Sequence, residues 1–424
     1  MNIFREFLIL GLTAFGGPTA HIGFFRDRFV EKLKWLKESE FVDTMALCQF
    51  LPGPASSQLG FAIGWKKGGW LGAFAAWLGF TLPSAIVMTL VGIGIAKFST
   101  VESKGWLAGL QIAVIVVVFK AVLGMAKSLC PNRTTTLIAI GGAALMLWNP
   151  VSFSQILVIL AGALLGLVFL RTDRIRSTNQ KSTFENRSED RLSSEETTKG
   201  KCELGSRPET DRNDGRKEPL LNTGTFVGAT CLILFFVLLF GLPFITGEKG
   251  AGRLFSDFYS SGSLVFGGGH VVLPLLSEQF VTTDLLSDAE FMAGYGAAQA
   301  VPGPLFTFSS FVGAAVDSEF NPWTMSLIAL VGVFLPSWLL VLGVMPFWDR
   351  LRTIPTMRAA LAGTNAAVVG LLGAALYTPV WTGAIRGTGD VIFMLGIAAL
   401  LLVWKFPPWL VVIIAALGGW LVLG

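Results

Sequence analysis

The chain has 424 residues, of which 53% are hydrophobic and only 14% are charged, with a formal net charge of +4 at pH 7. Soluble domains carry about 25% charged residues, so this composition excludes a soluble domain and indicates an integral membrane protein. The basic residues lie largely in loops, where they report membrane orientation, and the net charge is no reason to expect a nucleic-acid partner.

The first two apolar segments, Ile3–Phe25 and Phe41–Trp65, both contain residues that interrupt helices. Proline lacks the N–H that a helix interior requires, but it suits the first turn of a helix. The motif Pro52-Gly53-Pro54 therefore predicts a break, with a new helix that starts near Pro54 and continues through Ala55 and Ser56. The start of a helix offers unpaired N–H groups and a partial positive charge, which suit an oxyanion. A kink that serves only helix packing is the alternative.

The first segment also contains Gly16-Gly17 followed by His21. Glycines let a backbone approach a ligand closely, although tight helix packing explains them equally well. An ionisable ring inside a membrane segment is a functional candidate, and histidine titrates near physiological pH. We expect His21 to couple protons or to hydrogen-bond the anion; a structural histidine near the membrane interface is the alternative.

Two longer apolar runs follow, Trp70–Ala96 and Gly105–Ala126, and each is long enough to cross roughly 30 Å of hydrocarbon. Lys120 lies in the middle of the second run, where it either compensates the charge of a dianion or extends toward the cytoplasmic end. Residues 171–220 then interrupt the apolar pattern with near-balanced charge and many Ser and Thr. This composition predicts a disordered cytoplasmic linker.

The second half of the chain repeats the first at an offset of about 250 residues. Gly267-Gly268-Gly269 with His270 matches the first glycine-histidine motif, and Pro302-Gly303-Pro304 matches the first proline motif. Gln49 and Gln299 precede the two proline motifs, and Asn365 occupies the place of Gln111. The substrate-binding candidates are therefore Gly16, Gly17, Gln49, Pro52, Gly53, Pro54, Ala55, Ser56, Lys120, Gly267, Gly268, Gly269, Gln299, Pro302, Gly303, Pro304 and Asn365. The proton-coupling candidates are His21 and His270.

One apolar run, Phe226–Ile245, has no counterpart in the first half. A single extra crossing between two copies of the same unit inverts the second copy relative to the first. The predicted domains are an N-terminal transporter repeat (1–170), the linker (171–220), a connecting transmembrane helix (221–250) and a C-terminal inverted repeat (251–424). The predicted fold is an all-α integral membrane protein with broken or re-entrant helices at the proline motifs, with about 13 apolar segments and about nine crossings.

The charges of the loops agree with this inversion, because short cytoplasmic loops accumulate Lys and Arg. Loop 26–37 carries five basic residues, whereas its counterpart, 277–290, carries four acidic residues and no basic one. Both preferences are met if Ile3–Phe25 and Phe41–Trp65 are re-entrant and return to the side from which they enter. This orientation places the N-terminus and the linker in the cytoplasm and the C-terminus outside the cell membrane.

These motifs are shared with a known family. Phe15-Gly16-Gly17-Pro18 with His21, Leu51-Pro52-Gly53-Pro54, Phe266-Gly267-Gly268-Gly269-His270-Val271 with Leu273-Pro274, and Val301-Pro302-Gly303-Pro304 resemble those of the chromate ion transporter family in its long-chain, two-domain form. The resemblance covers both membrane halves and leaves out the long linker. It implies a secondary transporter that exports chromate from the cytoplasm with the proton motive force and confers chromate resistance, with sulfate as a structural analogue.

The residues alone predict an inverted-repeat oxyanion carrier, but they do not identify the anion that it transports. A carrier of sulfate or another tetrahedral oxyanion, working by uptake or exchange, is the alternative, since such dianions present nearly the same acceptors. The spans contain no nucleophile–base set and no metal cluster, so we predict neither an enzyme nor a cofactor. A channel is a further alternative. The expected partners are chromate, protons and the lipid bilayer, and a homodimer is one alternative for the assembly.

Overall fold

A computed structural model describes residues 2–15, 17–98, 104–148, 152–170, 224–247, 250–266, 272–283 and 285–422. Every regular element within these residues is helical, which confirms the predicted all-α class. The predicted linker, 171–220, lies outside them.

The first half forms seven α-helices in the described residues. They are α1 (Ile3–Thr13), α2 (Gly17–Phe25), α3 (Glu38–Phe50), α4 (Ala55–Phe98), α5 (Lys104–Leu129), α6 (Arg133–Trp148) and α7 (Ser152–Leu165). Helix α4 has two arms, residues 55–67 and 70–98, because Gly68 and Gly69 adopt non-helical φ and ψ angles. The arms fold back on each other, so that Gly64 and Gly72 lie in contact.

The second half begins with a helix that has no equivalent in the first, and the order of elements then recurs. The helices are α8 (Thr225–Ile245), α9 (Ala251–Leu264), α10 (Val272–Phe280), α11 (Asp288–Ala300), α12 (Phe308–Ala315), α13 (Pro322–Val344), α14 (Pro355–Ala375), α15 (Thr388–Ala398) and α16 (Pro408–Val422). Helix α12, with the 3₁₀ turn Leu305–Thr307 before it, takes the place of the first arm of α4, and α13 takes the place of the second arm.

Five stretches of helix among the described residues are long and apolar enough to cross a membrane. They are Ala55–Ala96, Gly105–Leu129, Thr225–Ile245, Pro322–Leu351 and Pro355–Ala384. Five shorter apolar helices accompany them. Length and composition thus confirm the membrane class that the hydrophobic content predicts.

Ion pairs join the two ends of each of the first two apolar segments. Glu6 of α1 pairs with Arg28, which follows α2, and Glu40 of α3 pairs with Lys66 at 2.9 Å, at the end of the first arm of α4. Burial opposes the ionisation of Glu40, but the hydrogen bonds from Lys66 and from the backbone N–H of Lys37 prevail and lower its pKa. Each segment therefore ends beside the place where it begins.

Two pairs of helices pack across the two halves, α5 on α16 and α14 on α7. Small residues allow this packing, as is common between membrane helices. Gly109 of α5 touches the carbonyl oxygen of Ala415, and Gly363 of α14 touches the carbonyl oxygen of Gly162. Gly109 and Gly363 match in the repeat, as do Gly162 and Ala415. The same helix contact is therefore made twice, once in each direction between the halves.

Candidate functional site

Both proline motifs interrupt helices at the predicted places. Helix α3 ends at Phe50 and α4 begins at Ala55, while α11 ends at Ala300 and the 3₁₀ turn before α12 begins at Leu305. The central glycines of the two motifs have φ values of 116° and 103°, in the region that favours glycine. The motifs therefore form breaks that require glycine at their centres, and we call them the first break (residues 51–54) and the second break (residues 301–304).

Each break is hydrogen-bonded to the opposite half of the chain. The N–H of Gly53 donates to the carbonyl of Val265 at 2.6 Å, and the N–H of Gly303 donates to the carbonyl of Ala14 at 3.1 Å. Ala14 follows the last residue of α1, and Val265 follows the last residue of α9, the equivalent helix. Both breaks consequently lie at the interface between the halves.

A serine from the opposite half also faces each break. A Cβ atom added to Gly53 would collide with the hydroxyl of Ser337, and one added to Gly303 would lie 2.8 Å from the hydroxyl of Ser84. The two serines belong to the matching Leu-Pro-Ser motifs of α4 and α13 and are each 1% exposed. These contacts leave no room for a side chain at the centre of either break.

His21 links the two breaks. It is 1% exposed and packs edge-on against Phe80, with the ring centroids 5.2 Å apart. Its Nε2 lies 3.1 Å from the carbonyl of Ala14, and its Nδ1 lies 3.3 Å from Oγ of Ser56. A carbonyl only accepts, so Nε2 carries the proton and Nδ1 accepts from the serine hydroxyl when the ring is neutral. The Ala14 carbonyl also accepts from Gly303, so His21 connects the start of α4 to the second break.

Several hydroxyls near the breaks are buried and have no hydrogen-bond partner among the described residues. They are the hydroxyls of Ser57, Ser309, Ser310 and Ser337. Leaving such a group unpaired in a protein interior costs about 1–3 kcal/mol. These donors are therefore available to a polar ligand at the interface between the halves.

The structure does not bring every predicted residue to the breaks. Gln49 is exposed, whereas Gln299 is half-buried and its buried Nε2 has no hydrogen-bond partner among the described residues. Lys120 lies on an exposed face of α5, and Asn365 is half-buried on α14. The predicted residues Gly16, Gly267, Gly268, Gly269 and His270 lie outside the described residues.

Ser337, whose free hydroxyl faces the first break from a distance in the chain, was not among the predicted residues. The signal was present, because the Leu-Pro-Ser motif occurs at matching places in both halves. It was not read as a site because proline and serine within an apolar helix also occur as packing residues. The free hydroxyl of Ser57, one residue beyond the predicted Ala55 and Ser56, was missed for the same reason.

The chromate transporter family matches residues 1–167 and 252–420, which together make up most of the chain. This chain belongs to the chromate transporter family. The match includes both breaks and leaves out the linker and α8. Family membership, together with the apolar helices, makes the protein a multi-pass membrane protein.

Several known proteins align with nearly the whole chain. It is 28% identical over 440 residues to the chromate transport protein of Pseudomonas aeruginosa, covering 99% of this chain and 92% of that one. It is 26% identical over 420 residues to a probable chromate transport protein of Synechococcus elongatus, covering 98% and 93%. It is 26% identical over 425 residues to an uncharacterized transporter of Methanocaldococcus jannaschii, covering 100% and 94%. No solved structure matches the chain.

Proposed function

We propose that this protein exports chromate from the cytoplasm across the plasma membrane, driven by the proton motive force, and so confers chromate resistance. Family membership and the names of the relatives support chromate as the substrate and a transporter in preference to an enzyme. The reciprocal hydrogen bonds of Gly53 and Gly303 carry the proposal for the site, since they bring both breaks to the interface between the halves.

The substrate is bound between the halves, where α4 and the 3₁₀ turn before α12 begin. Helix starts leave N–H groups unpaired and carry a partial positive charge, which stabilises an anion. The buried free hydroxyls supply further donors. Transport then requires the halves to move relative to one another, so that the site opens to each side of the membrane in turn. In this scheme His21 and His270 couple the movement to protons.

The two halves have opposite orientations in the membrane. Three observations support this part of the proposal: the order of elements recurs after α8, the helix contacts recur in both directions, and each of the first two segments ends where it begins. Arg352 lies in a short basic loop of the second half, and such loops accumulate on the cytoplasmic side. It pairs with Asp43 of α3 at 3.1 Å, about one turn from Glu40. The N-terminus and the linker are then cytoplasmic, and the C-terminus is outside.

Single cysteines test this orientation. In a variant whose four native cysteines are replaced by alanine, we expect a membrane-impermeant maleimide to label Thr283→Cys in intact cells. Lys34→Cys, in the corresponding loop of the first half, should be labelled only after permeabilisation, because the loops lie on opposite sides. Both positions are exposed, so accessibility within the protein is matched. Labelling of the two positions from the same side would rule out the inversion.

Purified protein in proteoliposomes tests the substrate and the coupling. Under imposed pH gradients of each sign, we expect saturable flux of radiolabelled chromate toward the acidic compartment, because outward chromate is exchanged for inward protons. Greater flux of sulfate under the same conditions would favour the alternative anion, and unsaturable flux would favour a channel.

The variants His21→Ala and His270→Ala should show an altered pH dependence of chromate flux. An unchanged pH profile in either variant removes that histidine from the coupling.

A further inference from the structure

Ser84 and Ser337 occupy matching places in the repeat, but their hydroxyls are used differently. Ser84 donates to the carbonyl of Thr81 in its own helix at 3.0 Å. The hydroxyl of Ser337 has no partner among the described residues, although the residue is only 1% exposed. Each serine faces the central glycine of the opposite half's break. A free buried hydroxyl from the opposite half is therefore present at the first break and absent at the second.

The same difference recurs where the helices begin after the breaks. Ser57, in the first turn of α4, is 4% exposed and its hydroxyl is unpaired. Thr307 occupies the matching place after the second break, and its hydroxyl donates to the carbonyl of Pro304 at 2.8 Å. Phe306 lies at the place of Ser56. The start of α4 thus presents free donors, whereas the matching turn of the second half presents an internally bonded hydroxyl and an aromatic ring. The free hydroxyls of α12, those of Ser309 and Ser310, lie farther along, five and six residues after Pro304.

Gln58 forms a hydrogen bond between the start of α4 and the first break. Its Nε2 donates to the carbonyl of Pro52 at 2.6 Å. Because a carbonyl only accepts, this bond determines the orientation of the amide. The bond pairs the carbonyl of Pro52, whereas Oε1 of Gln58 is buried and has no hydrogen-bond partner among the described residues. Gln58 therefore acts as a positioning residue for the break.

We propose that the transporter holds one oxyanion in a binding site at the first break, which we call the oxyanion seat. Ser57 of the first half and Ser337 of the second half supply its hydroxyl donors. The inference rests on the proposed function only in taking an oxyanion as the ligand. The donors are neutral, so the seat holds the anion by hydrogen bonds and by the start of α4. Because one donor comes from the opposite half, the seat is complete only while the halves are docked. Movement of the halves apart withdraws Ser337 and lowers the affinity, which releases the anion.

Binding of chromate and of sulfate to the purified full-length protein, measured by titration calorimetry in detergent, tests this seat. We expect one oxyanion per chain and a loss of affinity of about tenfold in Ser337→Ala, the factor associated with one lost hydrogen bond to an anion. Ser57→Ala should behave similarly and serves if the first variant fails to fold. Ser84→Ala is the matched control and should keep its affinity within about twofold, since its hydroxyl is bonded within its own helix.

Thermal stability without ligand separates ligand binding from a structural role. Ser337→Ala should be at least as stable as the parent protein, because it removes a buried hydroxyl that has no partner. Ser84→Ala should be less stable, because it removes a hydrogen bond. A structural role for Ser337 would instead lower the melting temperature of the unliganded variant.

The outcomes of binding and flux identify which proposal fails. Three results would overturn the single seat: unchanged affinity in both Ser337→Ala and Ser57→Ala, equal losses of affinity in Ser84→Ala and Ser337→Ala, or two oxyanions bound per chain. If the parent protein still transported chromate, the proposed function would stand. Weakened binding in Ser337→Ala without flux in the parent protein would support the seat and refute export. A parent protein that binds neither anion would overturn both.

Discussion

Replacing Gly53 by alanine should abolish transport. The φ angle of Gly53 is 116°, which residues with a Cβ atom rarely adopt, and such strain costs about 1–3 kcal/mol. The added Cβ would also collide with the hydroxyl of Ser337 and lie 2.7 Å from Nε2 of Gln58. Relief of these contacts requires the break to move, which disrupts the hydrogen bond to Val265. Chromate flux per inserted protein in proteoliposomes should therefore fall to background.

Gly69→Ala is the matched control for this substitution. Gly69 also has a positive φ, 58°, but a Cβ there would meet no atom within 4 Å. It lies between the two arms of α4, away from either break. With φ 58° and ψ −146°, Gly69 has a backbone conformation that favours glycine, so alanine there costs about 1–3 kcal/mol of strain. We expect this variant to keep most of its flux, because the strain arises away from the breaks and displaces no atom of the opposite half. Equal loss of flux in the two variants would mean that backbone strain, and not contact with the opposite half, explains the effect.

The second large effect is expected where the halves pack through glycine. A Cβ atom on Gly109 would overlap the carbonyl oxygen of Ala415, and one on Gly363 would overlap that of Gly162. Backbone atoms cannot rotate away as the end of a long side chain does, so the helices must separate. Overpacking of this kind typically costs about 1–3 kcal/mol and occasionally more. Gly109→Ala and Gly363→Ala should both lower the melting temperature and the yield of monodisperse protein in size-exclusion chromatography.

The same two helices offer controls for these variants. Gly124 lies on α5 and Gly373 lies on α14, and a Cβ at either position would meet no atom within 4 Å. Alanine in a helix interior is favoured over glycine by about 0.5–1 kcal/mol. Gly124→Ala and Gly373→Ala should therefore be as stable as the parent protein or more so. If all four variants lost stability to the same extent, close helix packing at Gly109 and Gly363 would not be the cause.

The site could be predicted from the sequence only in part. The breaks at Pro52-Gly53-Pro54 and Pro302-Gly303-Pro304 follow from the missing N–H of proline, which acts within a few residues of the chain. Burial does not follow in this way, because it depends on which face of a helix meets a neighbour. Gln49 and Gln299 thus have matching places in the sequence but different exposure, and Lys120 lies on the exposed face of α5.

The amino-acid sequence by itself determined the membrane class, the duplicated motifs and the places where helices break, because hydropathy and backbone chemistry are local properties. Only the tertiary structure decided which groups meet at the breaks. The pairs Gly53 with Ser337 and Gly303 with Ala14 join opposite halves of the chain, and no local preference encodes such contacts. The different hydrogen bonds of Ser84 and Ser337 likewise depend on tertiary packing, since each hydroxyl could bond within its own helix or face its neighbour.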